Sequence, residues 1–155
     1  MTERLVHYSR EPLERIVSVA QIEQPHFKPR GLWISVDGND DGWREWCDNE
    51  GFQLDSLKFV HDIRLAKSAN VLRITNADGI DRFDDAYSAS LNPEISFRSI
   101  DWKKVAGEYQ GIIIAPYIWQ KRLSDNAQWY YAWDCASGCI WDAAAIESFN
   151  LRESP

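Results

Sequence analysis

No run of apolar residues in this 155-residue chain approaches the roughly 18–20 needed to span a bilayer, and no block of basic residues occurs. The opening Met1-Thr2-Glu3-Arg4-Leu5-Val6-His7 lacks the apolar stretch of a secretion signal. Cysteine is scarce and odd in number: Cys47, Cys135 and Cys139. These features predict a cytoplasmic protein with reduced thiols. A Cys-x-x-x-Cys pair with one distant Cys is poor zinc spacing. Gly-x-Gly-x-x-Gly and Gly-x-x-x-x-Gly-Lys-[Ser/Thr] are both missing, so neither a Rossmann nor a P-loop nucleotide site is supported. No nucleophile-elbow pattern supports a hydrolase, although triad members need only meet in space.

What is present is the material of a globular core. Hydrophobic residues make up 45% and charged residues 26%, and eight Trp rule against disorder. The length suits one domain, 1–155. A formal charge of −7 disfavours a protein that tracks nucleic-acid phosphates. Strands are expected at Arg4–Tyr8, Leu32–Val36, Leu57–Leu65, Val71–Ile74, Ile112–Ile114, Trp129–Asp134 and Cys139–Trp141. Pro12 is expected to open a helix presenting Leu13, Ile16, Val17 and Ala20 on one face. Further helices are expected around Trp43, Trp46 and Cys47, from about Asp81, and from Ser99. Trp43 and Trp46 suit the core face of a helix, or an aromatic wall of a ligand pocket. Strands and helices do not alternate regularly, which predicts an α+β fold with largely antiparallel sheets.

Two short segments carry a chemical signal. His7-Tyr8-Ser9 ends the first strand, and Gly31-Leu32-Trp33-Ile34-Ser35 opens the second. Together they resemble the first two motifs of ADP-ribosyltransferases of the diphtheria-toxin and poly(ADP-ribose) polymerase type, which include small phage-encoded proteins that block CRISPR systems. In that family the first strand ends in His, then Tyr, Gly or Thr, then a small hydroxyl residue. The second reads Gly-Ile-Tyr-Phe-Ala or a close variant; here Trp33 takes the aromatic place and Ser35 the small one. The third motif, an acidic or polar residue before a short apolar strand, is similar to the stretch ending in Asp134. Glu108 and Gln128 are the fallback residues for that role.

The resemblance implies a split, mostly antiparallel sheet, NAD as substrate, no metal, and transfer of ADP-ribose to a protein or nucleic-acid acceptor. It implies that His7 holds a ribose hydroxyl, the Tyr8 backbone holds the carboxamide, and Ser9 and Ser35 border the ribose. Trp33 would stack on nicotinamide, and Asp134 would face the positive charge. Cleaving the nicotinamide–ribose bond passes through an oxocarbenium-like state, as in glycoside cleavage, so a carboxylate and an aromatic wall suit the reaction. A monomer acting as a bacterial or phage effector fits this reading. Two other readings stay open: a non-catalytic acidic protein that occupies a basic partner, and a different nucleotide-handling or hydrolytic enzyme, including an NAD-dependent RNA phosphotransferase.

Asp37-x-Asn39-x-Asp41-Gly42, with Asp48 eleven residues after Asp37, matches the oxygen spacing of a calcium loop. Asp in the last position is shorter than the usual Glu, Arg44 lies inside the loop, and a strand precedes it. Asp, Asn and Gly also serve a strand-to-helix turn and helix cap, and that is the expected role. Millimolar calcium should therefore leave the melting temperature nearly unchanged. A bound ion at a hundredfold excess over Kd would add about 2.7 kcal/mol, so a rise of several degrees that Asp37→Ala abolishes would overturn this expectation.

Overall fold

A computed structural model describes residues 3–90 and 98–152. In chain order the elements are β1 (Arg4–Ser9), β2 (Leu32–Asp37), α1 (Trp43–Glu50), β3 (Phe59–Leu65), β4 (Val71–Ile74), α2 (Ala77–Tyr87), β5 (Ser88–Ser90), β6 (Arg98–Ile100), α3 (Trp102–Ala106), β7 (Gly111–Ile114), β8 (Ser137–Ile140) and β9 (Ile146–Leu151). Seven strands form one sheet in the order β4-β7-β8-β2-β1-β3-β9, antiparallel except for the β4–β7 pair. β5 and β6 form a separate antiparallel pair. The chain is thus α+β with a mostly antiparallel main sheet, as expected.

The core lies on both faces of the sheet because its central strands are apolar on both. Along β7, Ile112 and Ile114 point into a large aromatic cluster while Ile113 points into a smaller aliphatic one, the strict alternation of a strand. The aromatic cluster packs Phe83 of α2 and Trp102 of α3 against Trp129, with ring centroids 5.3–6.3 Å apart. A buried indole usually finds a partner for its N–H, and three of the indoles here do. Trp102 donates to the His26 carbonyl at 2.8 Å, Trp129 to Asp84 at 3.0 Å, and Trp141 to the Tyr109 carbonyl at 2.7 Å. The aliphatic cluster holds Ile34 and Val36 of β2, Ile63 of β3 and Ile140 of β8.

Several elements differ from the sequence expectation. Residues 11–20 form no helix but an irregular strap. Ile16, Val17 and Val19 crowd β-branched side chains there, which weakens helix propensity. The strap's amides bond to the sheet region instead of to the preceding turn: Leu13 N–H donates to His61 Nε2 at 3.1 Å and Val19 N–H to the Trp141 carbonyl at 2.8 Å. Trp129–Asp134 is not a strand either. Gln128–Ala132 is a 3₁₀ turn, with Tyr130 N–H on the Ala127 carbonyl and Trp133 N–H on the Tyr130 carbonyl. Trp129, Tyr130 and Trp133 are consequently buried, and Tyr131 is 58% exposed. Ser99 belongs to β6, and α3 starts only at Trp102, where Asp101 caps the Lys104 amide at 3.2 Å. α2 begins four residues before Asp81, because Asn76 caps the Gly79 amide at 2.8 Å. Leu57 lies in the 3₁₀ turn ahead of β3.

β8 runs between β7 and β2, and Gly138 lets the backbones close up there. It pairs with Ile113 on one side and Ile34 on the other. A Cβ at 138 would lie 2.5 Å from the Ile112 carbonyl oxygen and 2.7 Å from Ile113 Cγ1. Gly138→Ala should therefore cost about 1–3 kcal/mol by overpacking, read as a fall of several degrees in melting temperature. An unchanged melting temperature would refute this account of β8.

Candidate functional site

The site arises where two neighbouring strands stop pairing. β1 and β2 pair at Arg4–Asp37, Leu5–Val36 and Val6–Ser35, and the ladder ends there. β1 continues alongside β3 through Ser9, while the start of β2 follows β8. His7–Ser9 and Leu32–Ile34 therefore diverge, and a cavity of about 310 Å³ lies at this split. One side chain spans the gap: His7 Nδ1–H donates to the Trp33 carbonyl at 2.6 Å. Because a carbonyl only accepts, Nδ1 carries the proton and Nε2 keeps a lone pair. Burial holds the His7 pKa below its ordinary value against the opposing effect of this bond.

The cavity brings together five residues that the sequence singled out: His7, Tyr8, Trp33, Ser35 and Asp134 all line it. The Tyr8 hydroxyl donates to Asp37 Oδ2, and Ser35 Oγ donates to Asp37 Oδ1 at 2.6 Å. Ser35 Oγ also accepts the Trp43 amide at 2.8 Å. Burial and then the Asp37 carboxylate push the Tyr8 phenol above its usual pKa. Ser35 thus caps α1 while bordering the cavity, and its hydroxyl proton is committed to Asp37. Gly42 must be small for this arrangement, since a Cβ there would lie 2.6 Å from Asp37 Oδ1 and 2.8 Å from Ser35 Oγ.

Trp33 meets Trp133 edge-on at 5.0 Å between ring centroids, and Lys28 Nζ lies over the Trp33 ring at 5.3 Å. Asp134 is 28% exposed at its side chain, and its Oδ1 lies 3.7 Å from Arg122 Nη2. Cys135 also lines the cavity, but burial pushes its thiol up to about 12. Burial of this kind disfavours the thiolate, the nucleophilic form of cysteine.

Other candidates lie elsewhere. Ser9 does not line the cavity; its hydroxyl donates to the Glu11 carbonyl at 2.6 Å. Glu108 accepts from the Tyr87 hydroxyl at 2.6 Å, and neither it nor Gln128 lines the cavity. Trp43 is a wall of the cavity, whereas Trp46 lies under the Arg122 guanidinium at 5.3 Å. Sequence reasoning missed Lys28, Trp133 and Arg122. Trp133 precedes Asp134 and could have been inferred from it; Arg122, twelve residues upstream, has no local signal.

The calcium-like loop is held by protein groups. Asp37 accepts from Tyr8 and Ser35, and Asp41 Oδ2 accepts the Tyr117 amide at 2.9 Å. The helix cap expected from these acids is supplied instead by Ser35, whose hydroxyl Asp37 orients, while Gly42 occupies the N-cap position. Among the described residues no group of three or more His, Cys, Asp or Glu is placed to hold a metal ion. All three cysteines are free and buried. Among the described residues no helix is long and apolar enough to cross a membrane. No protein-family model, no curated protein and no solved structure matches this chain.

His7 sits opposite His61 of β3, with ring centroids 6.3 Å apart. His61 is fully buried, and its pKa is lowered by burial and then by His7. Both histidines are ordinary, near 6.5, in the unfolded chain, so below that pH the unfolded state binds more protons than the folded one. Stability from both is full above pH ~6.5 and is lost as pH falls toward the folded values. The denaturant midpoint should therefore drop between pH 6.5 and 5, and His61→Gln should flatten the drop. A midpoint constant over that range would contradict the burial of these neutral imidazoles.

Proposed function

We propose that the cavity binds the nicotinamide–ribose end of NAD and transfers ADP-ribose to a macromolecular acceptor. The observation that carries this reading is the convergence of His7, Tyr8, Trp33 and Asp134, from three segments remote in sequence, on one aromatic-walled cavity. A volume of about 310 Å³ suits nicotinamide and its ribose, with the rest of the dinucleotide outside. Small-molecule pockets span roughly 300–1,000 Å³. The nicotinamide ring of NAD is cationic and suits the face of an indole; Lys28 Nζ, now 5.3 Å from the Trp33 ring, swings aside in this reading.

In this reading His7 Nε2, the free lone pair, accepts a ribose hydroxyl. The His7–Ser9 backbone, unpaired with β2, offers amide and carbonyl groups to the carboxamide. Trp33 stacks on nicotinamide. The C1′–N1 bond breaks with its electron pair leaving on nicotinamide, which departs neutral, and the ribose becomes an oxocarbenium ion. Asp134 stabilises that positive charge, most strongly in the transition state. An acceptor nucleophile then gives its electron pair to C1′ and loses its proton to solvent. The acceptor is an unidentified protein or nucleic-acid group.

The alternative, a non-catalytic acidic protein that occupies a basic partner, draws on the exposed side chains of Trp119, Leu123 and Tyr131 in a chain of charge −7. It assigns no role to His7 or Asp134.

Calorimetry and nicotinamide release separate the readings. His7→Ala should stay folded and lose about 0.5–1.5 kcal/mol of NAD binding, roughly a 2–10-fold rise in Kd. Asp134→Asn should lower kcat about 10²–10³-fold with little change in NAD affinity. No NAD binding by the wild-type chain would end the enzymatic reading, and full transfer by folded Asp134→Asn would remove Asp134 from it.

A further inference from the structure

The chain around Asp134 is fastened from outside the cavity. Trp133 N–H donates to the Tyr130 carbonyl at 2.9 Å, and the Trp133 carbonyl accepts from the Tyr117 hydroxyl at 2.6 Å. Two residues beyond Asp134, the Ala136 amide donates to the Asp41 carbonyl at 2.7 Å. Asp41 in turn holds Tyr117, accepting its amide through Oδ2 at 2.9 Å. Tyr117 therefore sits between a carboxylate from the β2–α1 loop and the peptide that precedes Asp134.

Arg122 completes this frame. Its Nη1 donates to the Tyr117 hydroxyl at 2.8 Å, and its Nη2 lies 3.7 Å from Asp134 Oδ1. The guanidinium carbon is 5.3 Å from the Trp46 ring, 5.9 Å from Tyr117 and 5.5 Å from Tyr131. Only 22% of the Arg122 side chain is exposed. A planar fork held by three rings has already lost most of its rotamer freedom, so directing one N–H toward a carboxylate costs little further entropy. Asp134 Oδ2 has no bonded partner among the described residues.

We infer that Arg122, backed by Tyr117 and Asp41, is the positioning group for Asp134: it ties down Oδ1 and leaves Oδ2 for the ribose cation. The inference rests on the ADP-ribosyl transfer reading. A carboxylate stabilises developing charge best when it does not have to reorient during the reaction. A bare ion pair at 3.7 Å would be a weak and mobile support; the phenol bridge from Arg122 through Tyr117 to the Trp133 carbonyl fixes the main chain as well as the side chain. Asp41, the second acid of the calcium-like string, gains a role here through protein groups alone.

Nicotinamide release by the full chain tests the inference, using Arg122→Met, Arg122→Lys and Tyr117→Phe, each alone and in the Asp134→Asn background. Arg122→Met keeps much of the stacked volume and removes the charge. It should lower kcat about 10–100-fold, the usual result of misplacing a reacting group by about 1 Å, with KM for NAD within about twofold. Arg122→Lys should recover part of the loss. Tyr117→Phe, which keeps the ring and removes the bridge, should lower kcat in the same direction and gives the answer if Arg122→Met does not fold. In the Asp134→Asn background neither Arg122→Met nor Tyr117→Phe should lower kcat further by more than about twofold, because their effect acts through the missing carboxylate. Equal losses in both backgrounds, or a change in KM with kcat intact, would overturn the positioning role while leaving the NAD reading standing. A wild-type chain that releases no nicotinamide would overturn both.

Discussion

The ladder between β1 and β2 ends at Val6 and Ser35, and the rest of the site depends on how the chain tolerates that ending. Two strands that part inside a sheet leave amides and carbonyls facing a gap, and such groups are costly if buried without partners. Here the His7 imidazole crosses the gap to the Trp33 carbonyl. The split is therefore bridged by a residue that also lines the cavity.

Behind the lining residues Tyr8 and Ser35 lies a second constraint. Asp37 is buried, and a buried carboxylate needs hydrogen bonds to offset its lost hydration. Tyr8, from β1, and Ser35, from β2, provide them, and Ser35 passes the order on to the first amide of α1. One carboxylate thus ties both strands of the split to the helix that brings Trp43 to the cavity. Outside the cavity Asp41 does a comparable job, joining the β2–α1 loop to Tyr117 and Ala136. The acidic string after β2 serves as a joint between the two halves of the site. Asp37 and Asp41 are the members of the string that make these contacts.

Charge is distributed unevenly around this cavity. The chain is net acidic, yet Lys28 lies over Trp33 and Arg122 beside Asp134. Both cations rest on aromatic faces, where the ring quadrupole offsets part of the loss of hydration. The aromatic residues are therefore electrostatic components of the site as well as apolar bulk. Trp33 and Trp46 carry these cations, while Trp102, Trp129, Trp133 and Trp141 belong to the core around Phe83.

Much of the sheet was legible because its physics is local. The apolar stretch Leu32–Val36, the alternation along Phe59–Leu65 and the run Ile112–Ile114 each fix a strand with one or two buried faces, and all three are strands in the structure. His7, Trp33 and Asp134 were singled out by the order of three short motifs, although the stretch that ends in Asp134 is a 3₁₀ turn and not the expected strand. The strap at 11–20 and the 3₁₀ turn at Gln128–Ala132 were misread for a common reason. Leu13, Val19 and Trp133 settle their backbone bonds with His61, Trp141, Tyr130 and Tyr117, and periodicity cannot register partners so far away in the chain or so tightly turned. Arg122 is the clearest case: an ordinary arginine in sequence, it becomes part of the site only when Trp46, Tyr117, Tyr131 and Asp134 surround it. The sequence by itself determined which segments had to be buried and which side chains could do chemistry. Tertiary structure decided which of them meet, because hydrogen bonds and ion pairs between distant segments depend on packing that no local pattern encodes.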